Sequence, residues 1–502
     1  MSRFAQVSFL VSFFMTLGIM AQTKNVFLER DFWKAKPDLA TVQLKISEGN
    51  DATALNENAF DAVVYALLEK ADNAVLTYLL GLEGNGLEKR THDSRTYIFW
   101  AAYAGNTTIM AQLLERGASL DVKDSHQNTP MTFAASTGQL DTKVYDLFER
   151  YGAPLAQEKN KDGANLLLLA APYMKKVGQM TYFLDKGIDL HEKDSQGNGI
   201  FNYAARGGSL DFMKALVRKG ADHKEMNQEG GNAFLFAAQG TRGHQNPLEV
   251  YQFLKDVGLS ANVVTHEGRT PLHRLAATQK NTEIIEFFLA EGADVDQKDA
   301  KGNTPFLNAA GRNALEVVSL LSKKTKDING ANREGQTALM LALQHNDLQV
   351  VELLRSKGGK MAAVDAQGNS LAHYLAASHH PGELEAFKAK LAWAQENGLA
   401  LNTVQAKGNT LLHLAASANE VSLIKLLAPF DIPINAQNEE GLTALHLAAM
   451  RAKDGAIMEY LVAQGADPKI KTLFEETAHD LALENELLQS YKAELGFLEL
   501  DR

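Results

Sequence analysis

Cysteine is absent from all 502 residues, which excludes disulfides, thiolate metal sites, thiol catalysis and a lipid-modified cysteine together. No Pro-, Gly- or Ser-rich linker and no low-complexity tract divides the chain. After Phe4–Met20 no apolar run is long enough to cross a membrane as a helix. Cations are also in deficit: Lys plus Arg number 50 against 61 Asp plus Glu, a formal net charge of −11, and they are scattered along the chain. Nucleic acid and anionic membrane surfaces are therefore poor partners, and a basic or neutral protein is the better expectation. Gly-x-Ser-x-Gly, His-Glu-x-x-His and Gly-Lys-Ser/Thr motifs are missing, and Gly84-Asn85-Gly86 is too short for a dinucleotide fingerprint. The sequence gives no support for an active site, a cofactor or a metal.

Met1-Ser2-Arg3, the apolar Phe4–Met20 and then Ala21-Gln22 follow the three-part layout of a secretory signal, with cleavage expected after Ala21. The alternative is retention as an N-terminal anchor. Removing Arg3 with the signal takes the formal charge from −11 to −12. An exported chain free of thiols fits a bacterial periplasm or the extracellular space, with no membrane insertion once the signal is gone.

A degraded motif recurs about every 33 residues, anchored at Thr96, Thr129, Asn165, Gly199, Asn232, Thr270, Thr304, Thr337, Ser370, Thr410, Thr443 and Thr477. In the Thr304 copy, Thr304 is placed to cap a helix and Pro305 to occupy its first turn. That helix is expected to end near Gly311, and Ala314–Leu321 carries the apolar spacing of a second one. Paired alanines such as Ala101-Ala102 and Ala134-Ala135 let neighbouring copies approach closely, and Gly292-Ala293 or a relative ends the second helix. Segments such as Asp294–Asn303 are polar, without helical period, and read as turns projecting between helix pairs.

Thr270-Pro271-Leu272-His273, a second helix, Gly292-Ala293-Asp294 and an Asp-x-x-Gly turn together resemble the ankyrin repeat. The resemblance implies an all-α solenoid of stacked helix–turn–helix repeats with β-turn fingers, about 13 repeats including divergent caps. The expected organisation is a signal peptide at 1–21, divergent capping repeats at 22–90, the array at 91–476 and a C-terminal capping repeat at 477–502. Phe60–Leu80 reads as a divergent repeat, and Phe27–Ser47 as a partial one whose second helix starts after Pro37. Leu487–Leu498 is expected to be the last second helix.

The resemblance further implies a non-enzymatic, monomeric scaffold that binds partner proteins in a concave groove of finger tips and first helices. Positions left free by the framework are Tyr103, Tyr173, Ser195, Gln196, Asn198, Arg206, Gln228, Glu229, Gln239, His266, Glu267 and Arg269. His273, His413 and His446, with His373 as a shifted equivalent, take the family's bridging role, and Trp100, Phe133, Tyr203, Phe236 and Tyr374 are expected in the core. Two longer intervals break the period, at Gly240–Pro247 and Ser378–Glu385, each expected as an exposed helix–helix turn. Alternatives are a secreted effector acting on host proteins, or an enzyme or metal site at 378–385 built on His379 and His380.

Overall fold

In the computed structural model, which describes residues 24–499 except for the side chains of 489–494, the secondary structure is helical. Among the described residues no strand forms, and extended backbone pairs only as four isolated antiparallel bridges. The chain divides into two modules. The N-terminal one runs to Ala170 and adds Gly178–Leu190; the C-terminal one holds Ala171–Val177 and everything from His191.

The helix pairs fall where the anchors place them. The Thr304 repeat forms Pro305–Arg312 and Leu315–Ser322, and the divergent Phe60–Leu80 segment forms Ala62–Leu68 and Asn73–Leu80. Upstream, Leu39–Ser47 starts from an Asp38 cap just after Pro37. The last second helix differs from expectation in its winding, since Glu486–Leu498 runs as 3₁₀ turns. Thr129, Thr270, Thr337, Thr410, Thr443 and Thr477 each begin a helix inside a reciprocal capping box. The alanine pairs Ala101-Ala102, Ala134-Ala135 and Ala309-Ala310 are fully buried. A larger side chain there would overpack the contact between first helices, at about 1–3 kcal/mol.

Most fingers are built by one residue five positions before the anchor. Asp194 Oδ1 accepts the backbone N–H groups of Gln196 and Asn198, and Asp299 Oδ1 those of Lys301 and Asn303. Asn332 and Asp365 repeat the arrangement. This self-bonding turn needs a left-handed residue three places on, supplied by Gly302 at φ 76° and Gly335 at φ 76°. In the C-terminal module adjacent fingers are then joined backbone to backbone, Arg333 N–H donating to Lys301 O (3.0 Å) and Ala366 N–H to Glu334 O (2.8 Å). Asparagine side chains add a second rung: Asn227 Nδ2 donates to Asn198, Asn332 to Asn303 and Asn438 to Asn409, each at 3.0 Å.

The recurring histidines tie helices to fingers. Nδ1 of His273, His413 and His446 accepts the N–H of its capping threonine at 3.1 Å. Nε2 then donates to a carbonyl of the next finger region, Asn303, Leu442 and Ile470 respectively. His373 is different, because its anchor Ser370 bonds to Gln405 and its own buried Nδ1 has no partner. Burial pushes the pKa of all four below the ordinary 6.5, and His345 and His379 shift the same way. A proton on Nδ1 of the three bridging rings would also face the threonine N–H head on. These rings are neutral when folded, so their contribution is whole above pH 6.5 and is lost as pH falls through the folded values. The unfolding free energy from urea titration should be level above about pH 6.5 and decline below it, by up to about 1.4 kcal/mol per pH unit for each proton taken up on unfolding, and the urea midpoint should fall with it. A midpoint that rises between pH 6.5 and 5 would contradict this assignment.

The N-terminal module holds a buried charge. Asp61, fully buried, caps the Ala62 helix through Val64 N–H (2.9 Å), and its other oxygen accepts Tyr97 O–H (2.6 Å) and Lys89 Nζ (2.8 Å). Lys89 Nζ also donates to Thr53 O and Asn85 Oδ1. Burial, with Asp61 alongside, drives the Tyr97 hydroxyl pKa far upward.

Candidate binding groove

The first helices Ala233–Gln239, Pro271–Thr278, Pro305–Arg312 and Ala338–His345 come from four consecutive repeats of the C-terminal module. With the adjoining fingers they wall a groove of about 800 Å³. The apolar part of its lining includes Leu235 and Phe236, both half-buried, and Leu307 and Leu341; the polar part is mostly amide and guanidinium. Gln196, Asn198, Glu229, Gln239 and Arg269, five of the positions read from the framework, line it. Four of these are exposed. Asn198 is not, because its Nδ2 is held by Asp194 (2.8 Å) and its Oδ1 accepts from Asn227, which makes it part of the finger ladder and not a free contact.

Arg206 also has a framework role. Its Nε donates to Gly240 O (2.9 Å), fixing the first longer interval, where Thr241 and His244 pair as a tight hairpin and the buried Asn246 Nδ2 donates to Ala205 O and Ala237 O. Ser195, Gln228, His266 and Glu267 are exposed on fingers outside the groove lining; Glu267 pairs with Arg269 at 2.8 Å. Tyr173 is half-buried in the 3₁₀ turn Ala171–Tyr173. Tyr103 belongs to the other module, where it is 41% exposed and its ring lies edge-on to Trp100 and 5.9 Å from Phe133. Trp100, Phe133 and Tyr374 are buried as expected, whereas Phe236 faces the groove and half-buried Tyr203 donates its O–H to Asp194.

The groove also gathers Arg274, Asn308, Arg312, Gln336 and His345. The framework rule of two residues past the alanine pair reaches Arg312 once it is carried to the Thr304 repeat. Arg274 sits one place after His273, on the groove side of the helix, and no landmark marks it.

The second longer interval corrects the sequence reading. His379 lies in no exposed loop: its side chain is 1% exposed, Nε2 is 3.2 Å from Ser422 Oγ, and the ring meets Phe387 edge-on at 5.0 Å. The lengthened second helix, Leu384–Glu396, carries Phe387 over it, while His380 stays exposed. The two imidazoles therefore present no common open face. Glu420 is 3.8 Å from His379 Nδ1, beyond hydrogen-bond reach, so it does not orient the ring for proton transfer to Ser422. Among the described residues no group of three or more His, Asp or Glu side chains could hold a metal ion, and no helix is long and apolar enough to cross a membrane.

A family model of three ankyrin repeats matches residues 63–145, 201–299, 234–332, 274–367 and 361–472, together more than half of the chain. The chain belongs to the ankyrin repeat family. The first match includes the divergent repeat at Phe60–Leu80, while 146–200, the stretch with the loosest landmarks, is not matched. Among similar ankyrin-containing proteins is a Caenorhabditis elegans homolog of transient receptor potential cation channel subfamily A member 1, 30% identical over 192 residues. That alignment covers 38% of this chain and 15% of the channel subunit. An ankyrin repeat protein of fowlpox virus is 28% identical over 135 residues, 27% of this chain and 69% of the viral protein. Serine/threonine-protein kinase 12 of Arabidopsis thaliana is 35% identical over 78 residues, 16% of this chain and 17% of the kinase. The chain thus spans a small share of the channel and the kinase. Ankyrin repeats generally mediate protein–protein interaction.

Proposed function

We propose that this chain is an exported, non-enzymatic ankyrin scaffold that holds a partner protein in the groove between the 196–229 fingers and the first helices up to His345. The observation that carries the reading is the lining itself. Framework chemistry consumes Asn198, Arg206, Asn303 and His273, and what remains facing the open volume is a run of exposed polar side chains above an apolar floor. Such a surface, fixed in place by capped helices and bonded fingers, can bind without refolding. Export rests on the three-part layout of Met1–Ala21, which lies outside the described residues.

The test is affinity capture from envelope and culture-medium fractions with the wild type and a triple variant, Glu229→Ala, Gln239→Ala and Arg269→Ala. All three positions are exposed, so stability should change by no more than about 0.5 kcal/mol each. Partner recovery should fall while the melting curve holds. Equal recovery by both proteins would remove the groove from consideration, and a recovered native chain found only in the cytoplasm would remove export.

A further inference from the structure

We propose that the groove takes an acidic, extended segment of its partner, with carboxylates seated on Arg274 and Arg312. The inference rests on the groove reading above and runs against the charge of the whole chain. A net charge of −11 favours a basic or neutral partner, yet the charges lining this groove are not arranged that way.

Arg274 and Arg312 stand on consecutive first helices, both exposed and both lining the groove, and among the described residues neither guanidinium has an ion pair or a hydrogen bond. They are cations held ready on rigid elements. The groove's own carboxylates do not offset them. Asp299 turns Oδ1 toward two backbone N–H groups of its finger, at 2.8 Å each, and Glu229 sits on the tip of another finger, so the lining holds two carboxylates against three arginines, of which Arg269 is paired with Glu267. Beyond Arg312, His345 lines the groove from the next helix. Its pKa is depressed by burial first and then by Arg312, Lys390 and His380, which keeps the ring neutral and available as a hydrogen-bonding group.

Guanidinium groups bind carboxylates through two parallel N–H···O bonds, a geometry that favours Asp and Glu side chains over diffuse negative charge. Because the two guanidinium groups stand on adjacent first helices, a ligand meeting both must cross from one helix to the next, as an extended chain does. Net negative charge then slows the approach of such a partner at low salt, while the contact pairs, inside a walled groove, are screened less than the long-range repulsion.

The full chain would be applied to an array of immobilised decapeptides graded from Asp/Glu-rich through uncharged to Lys/Arg-rich. Binding should increase with Asp/Glu content. The double variant Arg274→Gln, Arg312→Gln should bind the acidic peptides at least about tenfold more weakly, as expected when two charge-assisted pairs are lost. Arg274→Lys with Arg312→Lys should recover part of the signal, which separates loss of charge from loss of fold. Preference for basic or uncharged peptides, absence of binding, or acidic binding undiminished in the glutamine variant would each overturn the proposal. If the triple variant above still loses its partner while the array shows no acidic preference, the scaffold reading stands and this one falls.

Discussion

Asp61→Ala should lower the stability of the N-terminal module by about 3–5 kcal/mol, the usual cost of removing one partner from a buried ion pair. The substitution strips the carboxylate from Lys89, whose side chain is only 13% exposed, and removes the acceptor 2.6 Å from Tyr97 O–H. It also deletes the cap on Val64 N–H, worth about 1 kcal/mol by itself. Hydrogen exchange over 62–68, read beside thermal melting, is the suitable measure, since repeats can open without the whole chain unfolding. Asp61→Ala with Lys89→Met should lose less than Asp61→Ala alone, because no charge is then left stranded. A single variant within about 1 kcal/mol of the wild type would show that Lys89 finds water and that the pair is not structural.

The second large effect is expected at a finger glycine. Gly335 has φ 76°, and a Cβ placed on it would lie 2.4 Å from Ala366 N, the atom that donates to Glu334 O across the finger junction. Alanine there costs roughly 1–2 kcal/mol for the left-handed backbone, and in addition must push the next finger away. Gly358 separates the two costs. Its φ is 94° but nothing lies within 4 Å of the added carbon, so Gly358→Ala should show the conformational term alone. Urea unfolding should place Gly335→Ala below Gly358→Ala by about 1–3 kcal/mol, the range for a forced overlap in a packed contact. Equal losses would mean that the fingers are held together more loosely than their hydrogen bonds imply.

These two glycines show what could be read from the sequence. Both belong to landmarks that recur with the period, because a left-handed turn or a helix cap is a local demand that each repeat must meet with the same few residues. Thr, His and the paired alanines are legible for the same reason. The framework rule leaves Asn198 and Arg206 free, yet Asp194 in the same finger and Asn227 in the next hold Asn198, and the carbonyl of Gly240, about one repeat away in the longer interval, holds Arg206. His379 escaped for a related cause: its burial depends on Phe387, which only a lengthened helix brings over it. Arg312 falls under the rule for positions past the alanine pair and Arg274 under none, but neither position reveals that its guanidinium is unpaired. Their importance lies in having no partner, and a missing contact leaves no pattern in a sequence.

The finger junctions and histidine bridges connect each repeat to its immediate neighbour, as Ala366 does to Glu334, Asn332 to Asn303 and His413 to Leu442. In mechanical terms such connections lie in series. A pull on the end of either module puts the same force on every junction, so the weakest yields first, and each that yields frees about 33 residues, roughly 110–120 Å of extended chain. A partner gripping four successive first helices would bridge several of these junctions at once and stiffen that stretch alone.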